Sequence, residues 1–160
     1  MAATMATSKQ SFESALEGIT KDLKLNFSLK KEQITALKSF ILKRDVFGVL
    51  PTGYGKSLIY QLAPLVAKRM GLSENPLVVI VSPLIALMED QVNEATKFGL
   101  SARQLGKGDQ EEIRSDRCQL LYGSPESWLQ KQWRDMLSTK VFQENLLGIV
   151  VDEVHLTHKW

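Results

Sequence analysis

The chain has 160 residues, of which 44% are hydrophobic, 24% charged and 8% aromatic, amounts that suit one compact globular domain. Twenty Lys and Arg against eighteen Asp and Glu leave a net charge of +2, which excludes a histone-like polycation and an acidic disordered tail. The single Cys118 excludes a disulfide framework and an all-cysteine zinc site and points to a reducing compartment, and no apolar run approaches the roughly 18 residues of a membrane span.

In chain order, the N-terminal MAATMATSKQ lacks the unbroken apolar core of a secretory signal and reads as a frayed tail. Residues 1–27 are expected to hold this tail and a lead-in helix. Ile34, Leu37 and Ile41 recur at helical spacing and predict an amphipathic helix over 30–43. Four apolar runs follow, at 46–50 (VFGVL), 77–81 (LVVIV), 119–122 (QLLY) and 147–151 (LGIVV). Runs apolar on both faces suit strands of a parallel sheet covered on both sides. Helical patterns lie between them at about 56–70, 84–98 and 126–140. Alternating strands and helices predict an α/β fold with right-handed crossovers. The Gly and charge cluster at 106–117 reads as a loop with a short helix.

Charge is uneven along this order. Residues 1–80 carry 11 basic and 6 acidic side chains (+5), and residues 81–160 carry 9 and 12 (−3). Most of the excess lies at Lys21, Lys24, Lys30, Lys31, Lys38, Lys43 and Arg44, opposed only by Asp22 and Glu32. A solvated helix face explains it, and a phosphate-facing surface is the alternative.

The most specific segment is GVLPTGYGKS over 48–57, after a strand pattern and opening a helix. That is the setting of a phosphate-binding loop. Gly53 and Gly55 let successive N–H groups turn toward a phosphate, and Lys56 adds a positive charge. The Ser57 hydroxyl can ligate Mg²⁺, and the helix aims its N-terminal dipole at the anion. Leu50 stands where the strict pattern has Gly, and a turn with a chance Lys-Ser pair is the bland alternative. The second motif, Asp152-Glu153-Val154-His155, directly follows the last strand run. Ligands of α/β sheets bind outside the carboxyl ends of strands, so both motifs can serve one crevice. Asp152 suits a magnesium ligand, and Glu153 suits orienting or deprotonating the attacking water. A helix-capping pair is the alternative there. His155 and His158 lack further ligands for zinc. Trp128 and Trp133 read as packing residues rather than base-stacking platforms.

PTGYGKS, VSPLIALMEDQV, LLYGSPE and VVDEVH, in that order, resemble the first motor domain of RecQ-type DNA helicases of superfamily 2. The resemblance covers residues 28–160, so this span is expected to be a helicase ATP-binding domain. It implies a three-layer P-loop NTPase (RecA-like) fold with a mainly parallel sheet. It further implies that Thr52, Gly53, Tyr54, Gly55, Lys56 and Ser57 bind the phosphates of ATP, with Ser57 and Asp152 at Mg²⁺. The resemblance likewise implies that Lys56, Asp152 and Glu153 drive hydrolysis and that His155 couples it to DNA, while Gln33 matches the family's adenine-reading Gln. Around Gln33 the usual aromatic and Pro are replaced by Leu29 and Lys31, and Lys30 stands where Arg is common. Ser82-Pro83 and Ser124-Pro125 resemble motifs that track a single-stranded DNA backbone, although each also suits a helix N-cap at a strand–helix junction. Trp160 matches the first Trp of an aromatic loop that senses DNA.

The implied partners are single-stranded and duplex DNA, with no membrane and with a second motor domain in cis beyond Trp160. Oligomeric state is left open. The implied location is the nucleus in a eukaryote and the cytoplasm otherwise. In this class a later strand inserts between the phosphate-loop strand and the acidic strand, so 46–50 and 147–151 would flank an empty slot. The 160 residues alone are therefore expected to fold poorly and to be inactive. A nucleotide- or nucleic-acid-binding module without turnover, and an RNA helicase of the same superfamily, are the competing functions. No Asn-Lys-x-Asp guanine motif supports a GTPase.

Overall fold

The structure, a computed structural model, describes residues 10–43, 55–106 and 118–152. It divides into two compact units, the first ending at Pro76 and the second beginning at Leu77. The strand pattern at 46–50 lies outside the described residues.

The first unit is helical. Helix α1 (Phe12–Asp22) is capped by Ser11, whose hydroxyl accepts from the Ser14 N–H at 3.2 Å. It buries Phe12, Ala15, Leu16 and Ile19, the one-sided spacing of an amphipathic helix. Helix α2 (Lys31–Ile41) buries Gln33, Leu37 and Ile41 on one stripe, and ends inside the expected 30–43. Helix α3 (Lys56–Arg69) is buried along most of its length and packs against both α1 and α2. Pro64 lies within it and removes one N–H from its ladder. At its far end Arg69 pairs with Asp22 at 2.8 Å. Arg69 also crosses α1 at Gly18, where a Cβ would collide with its Nη1. The Lys38–Glu13 pair at 2.9 Å is solvent-exposed and adds little to stability.

The second unit is a four-stranded sheet in the order β2-β3-β1-β4, formed by β1 (Leu77–Val81), β2 (Ala102–Gln104), β3 (Leu120–Gly123) and β4 (Leu146–Val151). All three strand pairs are parallel, as the apolar runs predict. Helix α4 (Ile85–Lys97) joins β1 to β2, and helices α5 (Pro125–Trp128), α6 (Lys131–Leu137) and α7 (Lys140–Asn145) join β3 to β4. Central β1 buries Leu77, Val78, Val79 and Ile80. Leu77, Val79 and Leu121 share one core with Leu105, Cys118, Trp128, Trp133, Met136 and Phe142. Both tryptophans are therefore packing residues. Among the described residues β4 is an edge, with Ile149 and Val151 about half exposed.

Two features depart from the sequence pattern. The expected helix over 126–140 is three short helices, broken at Leu129–Gln130 and Ser138–Thr139. The Ser138 and Thr139 hydroxyls donate back to the Arg134 and Met136 carbonyls at 2.9 and 2.7 Å, offering the chain an alternative to helix. The breaks let Trp128, Trp133, Met136 and Phe142 all reach one core. Strand β2 was not anticipated, because Ala-Arg-Gln has little strand preference. Pairing with β3, Ala102 against Leu120 through Gln104 against Tyr122, imposes it.

Gly123 ends β3 beneath the Trp128 indole. A Cβ there would lie 2.6 Å from Trp128 Nε1 and 2.8 Å from Leu105 Cδ1. Gly123→Ala is expected to cost about 1–3 kcal/mol, the range for overpacking a filled core. Urea unfolding followed by tryptophan fluorescence will show a lowered midpoint. Burial pushes the Cys118 thiol up from 9.0 to about 12. A group with a raised folded value stabilises fully below its unfolded value and loses that contribution as pH rises through the folded one. Stability is therefore expected to fall between about pH 9 and 12, where the unfolded thiol ionises and the folded one does not. Cys118→Ser should flatten that portion of the stability–pH curve.

Candidate functional site

The first unit presents the start of α3. Gly55 is its N-cap, with φ 77° and ψ 38°, a left-handed conformation that favours glycine. Lys56 and Ser57 follow at the first two helical positions, and the first turn holds no acidic side chain. A cation at a helix N-terminus is at the unfavourable end of the macrodipole. Lys56 has no carboxylate partner and the Ser57 hydroxyl no hydrogen-bond partner among the described residues. A charge and a hydroxyl placed this way suit an anion with a hard cation beside it. Both side chains are half-buried.

Gln33 is 5% exposed and ties the start of α2 to this helix end. Its Oε1 accepts from the Lys30 N–H at 2.8 Å, and its Nε2 donates to the Gly55 carbonyl at 3.2 Å. A Cβ on Gly55 would collide with Gln33 Nε2, so glycine is required there by space as well as by φ. The geometry places the expected adenine-reading amide against the first described residue of the expected phosphate loop. Leu29 and Lys31, in place of the usual aromatic and Pro, do not prevent that placement.

The second unit brings three motif residues to one edge of the sheet. Ser82, Ser124 and Asp152 each follow the last residue of adjacent strands β1, β3 and β4. Val81 is in register with both Gly123 and Val151. The Ser82 N–H donates to the Gly123 carbonyl at 3.0 Å, and the Asp152 N–H donates to the Val81 carbonyl at 2.8 Å. Asp152 and the two Ser-Pro motifs thus leave the sheet side by side, with Ser82 in the middle.

The two serines differ in how they end their strands. Ser124 is the N-cap of α5, accepting from the Ser127 N–H at 3.1 Å and donating to Ser127 Oγ at 3.0 Å, with Pro125 at the first helical position. Ser82 does not cap α4, whose N-cap is Leu84. Its hydroxyl accepts from the Leu84 N–H at 3.3 Å in a short turn around half-buried Pro83. Both hydroxyls are buried, at 3% and 6% exposure.

Thr52, Gly53, Tyr54, Glu153, His155 and Trp160 lie outside the described residues, as does His158. Two side chains have surroundings that the sequence does not show. Trp128 Nε1 donates to the Ile80 carbonyl at 3.3 Å, so the second Ser-Pro motif is braced against the strand that carries the first. Gln61 is fully buried in α3, with both amide atoms unpartnered. A lone polar residue in LIYQLAPLV was the available signal.

Residues 30–160 match the family described as DEAD/DEAH box helicase. The chain is similar to the rat protein named ATP-dependent DNA helicase Q5, 36% identical over 127 residues, which are 73% of this chain and 12% of that protein. It is 33% identical over 155 residues to the Caenorhabditis elegans protein named putative ATP-dependent DNA helicase Q1, covering 88% of this chain and 24% of the relative. With the Synechocystis ATP-dependent DNA helicase RecQ it shares 35% identity over 128 residues, 75% of this chain and 25% of the relative. The match therefore spans a quarter or less of each of these relatives' lengths.

Proposed function

The chain belongs to the DEAD/DEAH box helicases, and we propose that residues 28–160 form the ATP-binding part of a RecQ-type motor that moves 3′ to 5′ on single-stranded DNA and unwinds duplexes. The observation that carries this reading is the start of α3: a left-handed glycine cap, followed by a lysine with no carboxylate partner and a hydroxyl with no hydrogen-bond partner among the described residues. These residues fit a magnesium-bound nucleotide triphosphate. Bound magnesium would supply charge neutralisation on the phosphates.

In this reading Lys56 and the α3 N-terminus hold the phosphates, and the Gly55 left-handed turn lets the backbone approach them without a Cβ in the way. Ser57 and Asp152 supply the oxygen ligands for the metal. Gln33 reads adenine with the amide that now bridges Lys30 and Gly55, so ATP entry and the position of Gly55 are linked. Glu153 orients or deprotonates the attacking water, and Thr52, Gly53 and Tyr54 complete the phosphate loop. His155 passes the state of the nucleotide to the DNA side.

The DNA side is Ser82-Pro83, Ser124-Pro125 and Trp160. Because the Ser82 and Ser124 hydroxyls are satisfied within their own turns, their role is to hold the strand ends in shape for backbone contact. A second motor domain in cis closes the nucleotide cleft and moves its own DNA contacts. The described residues include no helix long and apolar enough to cross a membrane. Work on chromosomal DNA places the protein in the nucleus of a eukaryote, or in the cytoplasm of a cell without one.

Titration with a fluorescent ATP analogue tests the nucleotide reading. Binding that requires Lys56 and is displaced by unlabelled ATP is expected. Absence of binding in the full-length gene product would overturn it.

A further inference from the structure

Gln61 is fully buried, and neither its Oε1 nor its Nε2 has a hydrogen-bond partner. A carboxamide withdrawn from water without partners forfeits the hydration of one acceptor and two donor hydrogens, so buried amides ordinarily find a partner. Its place in the fold suggests one. Gln61 lies four residues after Ser57 on α3, which puts the two on one helix face. Long side chains on a helix lean toward the preceding turn, so the Gln61 amide covers the turn that carries Ser57. The Ser57 hydroxyl has no hydrogen-bond partner among the described residues. Two polar groups on neighbouring turns of one face, bonded neither to each other nor to any other described residue, suit a shared third group.

We propose that Gln61 is a positioning residue of the nucleotide site, its carboxamide orienting the Ser57 hydroxyl and the water shell of the magnesium ion held there. The inference rests on the phosphate-site reading above. Gln61 touches neither phosphate nor the reacting atoms; it acts through Ser57 and the metal-bound water. Oriented neighbours of this kind set how well a metal site holds its ion, and losing one typically weakens the site about 10–100-fold.

The competing explanation is an orphaned core amide with no role. The two differ in sign. Replacing a purely structural orphan by an apolar side chain of similar shape removes a desolvation cost and leaves ligand binding alone. The test is Gln61→Met, with Gln61→Leu as a second apolar replacement, in the full-length gene product. Affinity for a fluorescent ATP analogue is measured across a Mg²⁺ titration and again in EDTA, beside urea unfolding. The proposal expects the Mg²⁺ midpoint to rise about tenfold or more in each folded variant, with metal-free nucleotide affinity at the parental value. A parental Mg²⁺ midpoint in either variant, with stability equal or raised, overturns it. If the parent shows no Mg²⁺-dependent binding, or if Lys56→Ala binds as the parent does, the phosphate-site reading itself fails and this inference falls with it. Loss of metal-free affinity in both variants together with a lowered unfolding midpoint assigns Gln61 to packing and also overturns the proposal.

Discussion

Lys56→Ala is expected to abolish measurable ATP turnover by the full-length gene product while leaving its fold intact. Lys56 sits at the first position of α3 without a carboxylate partner, so removing it breaks no ion pair among the described residues. It also relieves the unfavourable meeting of a cation with the positive end of the helix dipole. Unfolding midpoints should therefore hold steady or rise slightly. Binding should suffer, because a charge-assisted contact to phosphate contributes about 1.5–3 kcal/mol, roughly 10- to 150-fold in affinity. Turnover should suffer more. Charge grows on the phosphoryl oxygens in the transition state, and losing one preorganised donor there costs about 10²–10³ in rate. Phosphate release and analogue binding on the same preparation separate the two losses. Parental turnover in Lys56→Ala would remove α3 from the chemistry.

Glu153→Gln is expected to give the opposite split, with nucleotide held and hydrolysis lost. The backbone leading to it is fixed, since the Asp152 N–H bonds to the Val81 carbonyl at the end of central β1. A carboxamide keeps the size of the carboxylate but cannot take a proton from water. Positioned general bases contribute about 10²–10⁴ in rate, so hydrolysis should fall by that factor while affinity changes by less than about threefold. Single-turnover measurement with saturating enzyme isolates the chemical step from product release. Parental single-turnover hydrolysis in this variant would assign the base elsewhere.

Much of the architecture was legible because burial on both faces leaves a plain mark. LVVIV became β1 over its full expected span, and the runs at 119–122 and 147–151 became β3 and β4 with shifts of one residue at their ends. Helix α3 was legible from its position behind the Gly-Lys-Ser turn, and Pro64 did not end it. The errors came where tertiary contact overruled local pattern. The 126–140 periodicity is real on the core side, but back-bonding by Ser138 and Thr139 divides the segment into separate helices. Strand β2 owes its conformation to β3 rather than to its own residues.

The candidate site was legible by motif and illegible by contact. The sequence orders Ser82, Ser124 and Asp152 over 70 residues, yet only the parallel register shows them at three adjacent strand ends. Each Ser-Pro motif also suits a helix N-cap, and Ser124 alone forms one, because the Pro83 turn delays the start of α4 to Ile85. Gln33 stands out through the family resemblance. Its hold on Gly55, 22 residues away, could not be read from spacing. Gln61 carried a weak signal, one polar letter in an apolar helix, and its significance appeared only when the structure left both amide atoms without partners.

The most direct test of the account is phosphate release from ATP by the full-length gene product, measured with and without single-stranded DNA. Magnesium-dependent release that DNA raises by about tenfold or more, lost in Lys56→Ala and in Glu153→Gln, is the expected result. Nucleotide binding with no release, or release indifferent to DNA, would contradict it.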